Sequence, residues 1–116
     1  MHFFPTPILN RIGFRARQRN ILVRFSDLGI EPGLVVALEK EGFTEPFEVQ
    51  CEAIPDAMLG RDICCRAPTG SGKTLAFGLP MISRTAKAES RRPTSLILTP
   101  TRELAEQIRN VLHPLA

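Results

Sequence analysis

The sequence predicts an α/β fold, a parallel sheet with flanking helices entered through a small helical subdomain. Two short apolar runs, residues 63–66 and 95–98, have the length and composition of buried strands. Between them, Ala67-Pro68-Thr69-Gly70-Ser71-Gly72-Lys73-Thr74 has the pattern of a strand-to-helix loop that cradles phosphate. Strand, loop, helix and strand in this order make a βαβ unit, whose crossover is expected to be right-handed.

At 116 residues and 43% hydrophobic content, the chain suffices for one domain with a modest core. No apolar run approaches the roughly 18 residues that a membrane span requires. The net charge of +3 is unevenly spread. Arg11, Arg15, Arg17, Arg19 and Arg24 all precede Asp27, the first acid, so the basic excess lies in residues 1–24 and the remainder is net acidic. Overall charge therefore does not mark the globular part as a nucleic-acid binder. Cys51, Cys64 and Cys65 are an odd set without C-x-x-C spacing, and the adjacent pair would face opposite sides of a strand. Buried free thiols in a reducing, cytoplasmic setting are expected, and a zinc site is not. His2 and His113 lack partner spacing and take no chemical role.

Residues 1–24 read as a poorly ordered basic extension; an RNA-touching arm is the alternative, since arginines near phosphate release counterions. Ser26 or Asp27 can cap a short turn. Pro32 suits the first turn of a helix, and Leu34, Val35 and Leu38 repeat at helical spacing until Gly42 stops it, giving a helix over 32–41. A second helix starts near Pro46, with Phe47, Gln50, Cys51 and Ile54 on one buried face. Pro55 is expected to break or restart it, and Gly60 to end it.

After the strand at 63–66 and the loop, a third helix opens over Gly72 to Phe77, with a kink or break at Pro80. Residues 84–93 form an exposed connection to the second strand. A last helix begins after Pro100-Thr101 and buries Leu104, Ile108, Val111 and Leu112, with Pro114 ending or interrupting it.

The loop carries the chemistry. Its spacing fits G-x-x-x-x-G-K-[ST] except that Ala67 stands for the first glycine, a small residue tolerated if its φ stays negative. Glycines let backbone N–H groups turn toward phosphate oxygens, Lys73 adds a positive charge and Thr74 a hydroxyl for Mg²⁺. The following helix start adds N–H groups and a dipole that favours anions.

Three further stretches resemble the DEAD-box RNA helicases. Gly42-Phe43-Thr44-Glu45-Pro46-Phe47-Glu48-Val49-Gln50, followed by Ile54-Pro55 and Gly60-Arg61-Asp62, is similar to that family's adenine-recognising Q motif. Phe25 stands upstream of Gly42 at the family's separation for an isolated aromatic, and residues 100–107, Pro-Thr-Arg-Glu-Leu-Ala-Glu-Gln, resemble motif Ia. With the loop as motif I, the resemblance covers about residues 25–113.

The resemblance implies an incomplete RecA-like domain over residues 25–116, truncated after motif Ia and preceded by the basic extension 1–24. It implies ATP and Mg²⁺ as ligands and RNA as the parent protein's substrate. Gln50 would read the N6 and N7 edge of adenine and favour ATP over GTP, and Phe25 would stack near the base. Ala67, Pro68, Thr69, Gly70, Ser71 and Gly72 would wrap the phosphates, Lys73 would hold the β- and γ-phosphates, and Thr74 the Mg²⁺. Pro100, Thr101 and Arg102 would lie along the RNA backbone. Phe47 departs from the pattern: the family carries threonine or serine there, whose hydroxyl helps join the Q motif to the phosphate loop.

The sequence contains neither Asp-Glu-Ala-Asp nor Ser-Ala-Thr, and no second-domain motif. Those supply the Mg²⁺-holding carboxylate and the arginine finger, an effect worth about 10³ to 10⁵ in rate in related enzymes. The expectations that follow are a fragment with background hydrolysis, and exposed apolar strand edges that destabilise it. Two other readings remain, a DNA helicase or translocase of the same superfamily and a non-catalytic nucleotide-binding product.

Overall fold

The computed structural model describes residues 22–85 and 89–116. The basic extension, apart from its last three residues, lies outside them, so neither its order nor an RNA-touching role is addressed. Four α-helices follow one another: α1 (Pro32–Lys40), α2 (Glu48–Met58), α3 (Lys73–Arg84) and α4 (Arg102–Leu112). Single 3-10 turns, Phe25–Leu28 and His113–Leu115, precede α1 and follow α4.

Local chemistry sets most boundaries. Asp27 caps the first turn by accepting the Arg24 N–H at 2.8 Å. Pro32 fills the first position of α1, where a backbone donor would have no intrahelical acceptor. The helix ends in a Schellman motif: Gly42, at φ 86°, donates to the Glu39 carbonyl at 3.1 Å and Phe43 to that of Leu38 at 2.9 Å. Thr101 caps α4, its Oγ1 accepting the Leu104 N–H at 3.2 Å. Pro114 does not interrupt α4; it sits in the 3-10 turn that tightens the helix end and buries Leu115.

A break expected at either internal proline does not form. Pro55 lies inside α2 and Pro80 inside α3, and neither breaks its helix. Each forfeits one ladder hydrogen bond, but Ala53, Ile54 and Asp56 around the first and Gly78 and Leu79 beside the second are buried, so packing holds the helix through the gap.

Leu38, Ile54 and Leu79 are fully buried at the centre, surrounded by Phe25, Leu28, Ile30, Leu34, Leu75, Ile108, Leu112 and Leu115. Each helix thus contributes to one core, and α2 packs mainly on α3. Where α3 meets α4 there is room only for hydrogen at Gly78: a Cβ would stand 2.3 Å from Leu112 Cδ2.

The expected sheet is not formed among the described residues, which hold a single isolated bridge, Glu89 to Arg92. A strand exists only through the ladder it shares with a neighbour, and runs 63–66 and 95–98 do not pair with each other. Burial still alternates along them. Cys65 is inside and Cys64 outside; Ile97 is partly buried while Leu96 and Leu98 are 80% and 85% exposed. The two-faced burial expected of these runs is therefore absent, as is burial of Cys64. Leu104, expected on the buried face of α4, is also exposed, whereas Ile108 and Leu112 are buried and Val111 packs partly buried against the core.

Candidate nucleotide site

The loop turns on two left-handed glycines, Gly70 at φ 79° and Gly72 at φ 85°, the latter serving as N-cap of α3. Ser71 N–H donates to the Pro68 carbonyl at 3.2 Å, closing the turn between them. Lys73, the first residue of α3, folds back so that Nζ donates to the Ala67 carbonyl at the other end of the loop. The hydroxyl of Ser71 is buried and has no hydrogen-bond partner, an orphaned polar atom within the loop. A cation spanning the loop mouth, an unspent hydroxyl and a helix start are the donors a phosphate needs, so these residues fit such a group.

Gln50 ties α2 to this loop. Its Oε1 accepts the Phe47 N–H at 2.9 Å, capping α2, and its Nε2 donates to the Gly72 carbonyl at 3.0 Å. At 2% exposure the amide sits beneath the surface, not at an open edge. The contact is close enough that a Cβ on Gly72 would lie 2.3 Å from Gln50 Nε2 and 2.7 Å from Phe47 Cδ2.

Phe47 reverses expectation. Predicted on the buried face of α2, it is 55% exposed, while Gln50 and Ile54 go inside. As N-cap it precedes the first helical turn, so its direction follows the extended backbone, not the helical period. Its ring borders a recess of about 460 Å³ between α2 and the loop, lined also by Glu48, Glu52, Arg66, Pro68 and Ser71. Phe25 is 3% exposed and packs in the core, bordering a second recess of about 290 Å³ with Arg24, Ser26, Thr44 and Glu45. The two recesses share no lining residue.

Pro100, Thr101 and Arg102 are exposed at the start of α4. A cation in the first turn opposes the helix dipole, so the fold itself gains nothing from Arg102 there. The Asp56–Arg61 pair was not anticipated. Arg61 Nη1 meets Asp56 Oδ1 at 2.7 Å, and the Arg61 N–H donates to the Asp56 carbonyl at 3.2 Å, fixing the exit of α2 toward run 63–66. Its only sequence signal is opposite charge across the glycine that ends the helix.

None of the three cysteines forms a disulfide. Burial pushes the Cys65 thiol up, with Lys73 pulling the other way, and burial likewise raises Cys51. Among the described residues no group of three or more His, Cys, Asp or Glu side chains could hold a metal, and no helix is long and apolar enough to cross a membrane.

A family profile described as DEAD/DEAH box helicase matches residues 47–116, more than half of the chain. The chain belongs to the DEAD/DEAH box helicase family. It is 49% identical over 92 residues to the ATP-dependent RNA helicase dbp-9 of Neurospora crassa, covering 76% of this chain and 14% of that protein. It is 50% identical over 93 residues to dbp9 of Aspergillus terreus, covering 76% and 15%. Among solved structures it resembles the RNA helicase Prp28 of Chaetomium thermophilum bound to ADP, with a TM-score of 0.73, 36% identity and coverage of 79% of this chain and 23% of that one. A DEAD box protein of Methanococcus jannaschii follows, with a TM-score of 0.70, 33% identity and coverage of 79% and 25%. The fold thus fits the corresponding part of DEAD-box helicase domains, and the chain spans about a seventh of the length of these curated relatives.

Proposed function

We propose that this chain forms the nucleotide-binding entry of an ATP-dependent RNA helicase, with ATP and Mg²⁺ as its ligands and RNA as the substrate of the longer protein. The observation that carries the reading is the loop itself, with Lys73 bridging to Ala67 and the Ser71 hydroxyl unspent at the start of α3. Lys73 exchanges the Ala67 carbonyl for β- and γ-phosphate oxygens when ATP enters, while N–H groups of the loop and the first turn of α3 take the remaining charge. Thr74 follows Lys73 and offers its hydroxyl to Mg²⁺, which when bound neutralises the phosphates.

Gln50 gives one Nε2 hydrogen to the Gly72 carbonyl and one Oε1 lone pair to the Phe47 N–H, which leaves one donor and one acceptor for the adenine edge and couples base recognition to the loop's backbone. Phe25, buried in the core, has little area to offer a base, and we assign it to packing. Pro100, Thr101 and Arg102 meet the RNA backbone, where a phosphate relieves the unfavourable placement of Arg102. Lys73 and Thr74 bind without cleaving, so hydrolysis by these residues alone stays near background.

ATP titrations with Mg²⁺ and with EDTA, on the full chain and Thr74→Ala, test the reading. The Mg²⁺-dependent gain in affinity should appear in the parent and vanish in Thr74→Ala. An equal gain in both would remove Thr74 from the metal site.

A further inference from the structure

The connection between α3 and run 95–98 lines neither of the recesses described above. It carries Arg91-Arg92-Pro93-Thr94, four exposed residues outside any helix. A turn presents the two arginines. The Arg92 N–H donates to the Glu89 carbonyl at 3.0 Å, and Arg91 takes a left-handed φ of 62°. An L-residue holds that conformation at a cost of about 1 kcal/mol, so little resists opening of the turn. Arg92 Nη1 meets Glu89 Oε2 at 3.4 Å with the side chains 81% and 76% exposed, so water screens the pair and holds the guanidinium only weakly. Pro93 biases Arg92 toward extended backbone, and the segment straightens at the loss of that one turn bond. Two arginines, at the third and second positions before an exposed hydroxyl, suit an acidic peptide groove in which each guanidinium meets a carboxylate.

We propose that Thr94 is a phosphorylation site for an arginine-directed protein kinase, with Arg91 and Arg92 as the residues that the kinase recognises. Mg²⁺-ATP bound to the kinase is the phosphoryl donor. Thr94 Oγ1 forms a bond to the γ-phosphorus, the bond from that phosphorus to the ADP oxygen breaks, and the hydroxyl proton passes to the catalytic aspartate of the kinase. Once attached, the phosphate stands two residues from Arg92 and offers it a doubly charged partner in place of Glu89. The modified segment leads directly into run 95–98, whose first residue is hydrogen-bonded to the end of α3 through the hydroxyls of Thr85 and Ser95 at 2.8 Å.

Incubation of the folded full chain with Mg²⁺-ATP and the catalytic subunit of cyclic-AMP-dependent protein kinase, an arginine-directed enzyme, tests this. Phosphoryl incorporation is followed over time and its position mapped by peptide mass spectrometry. A single phosphoryl group should appear on Thr94 and be absent from Thr94→Val. Arg91→Gln and Arg92→Gln should each lower kcat/KM for the chain by about tenfold or more, the scale of one lost charge-assisted contact. These positions are exposed, so each variant should melt as the parent does, and the mapping on the parent needs no variant. Phosphate on Ser90 or Ser95 in place of Thr94 would overturn the proposal. So would equal rates in the parent and the arginine variants, no incorporation at all, or labelling of Thr94 only after the chain is unfolded in urea.

Discussion

The side-chain amide of Gln50 donates to the Gly72 carbonyl at 3.0 Å, joining the first turn of α2 to the residue that caps α3. Its other end accepts the Phe47 N–H. One buried amide thus serves a helix cap and the shape of the phosphate loop together. Gln50→Leu leaves the Phe47 N–H unpaired and removes one of two bonds to the Gly72 carbonyl, which still accepts the Ala76 N–H at 3.3 Å, at a cost of about 1 to 3 kcal/mol. Urea denaturation should show a lowered midpoint with an unchanged slope.

Gly72 cannot gain a side chain. Its φ of 85° disfavours any L-residue, and a Cβ would intrude on Gln50 Nε2 at 2.3 Å. Gly72→Ala should therefore break the Gln50 bond and lower the stability of the fold by about 1.4 kcal/mol or more, from strain and a lost buried bond together. Urea denaturation of the variant beside Gln50→Leu shows whether the two losses share one cause: they should not add.

Gly78 and Leu112 form a second close pair, at the crossing of α3 and α4. Gly78→Ala forces Leu112 from its place and should cost about 1 to 3 kcal/mol, although alanine is the better helix former. In a Leu112→Ala background the same change should be neutral or stabilising by up to about 1 kcal/mol. Chemical denaturation of the four proteins of this cycle gives the coupling directly.

The thiols should react in order of burial. Cys64, exposed, is labelled first at neutral pH, whereas Cys51 and Cys65 are slow until the chain unfolds. Because burial raises both latter values, the folded chain keeps those thiols protonated longer than the unfolded one. Their contribution to stability is complete below the ordinary thiol value of 9.0 and is lost as pH rises through the raised values. Melting temperatures across that range, compared with a Cys51→Ala, Cys65→Ala double variant, should show the parent falling more steeply.

Features set by neighbours in sequence were legible there. The stop at Gly42, the start of α4 after Thr101 and the spacing of the loop follow from chemistry within a few residues. The breaks expected at Pro55 and Pro80 do not form because tertiary packing outweighs one missing donor in each helix. The two apolar runs kept their alternation but not their strands, since a ladder depends on a partner far along a chain. Phe25, 3% exposed, and Phe47, 55% exposed, differ for a similar reason. Hydrophobicity marks an aromatic as apolar, but the surroundings decide whether it fills a core or faces solvent.

The central claim is that the loop from Ala67 to Thr74 holds the phosphates of ATP through Lys73. Equilibrium titration of Mg²⁺-ATP against the full chain and its Lys73→Ala variant tests it most directly. Loss of a charge-assisted bond to phosphate should weaken binding by about tenfold or more, with the melting temperature of the free protein little changed. Equal ATP affinity in the two proteins would contradict the account.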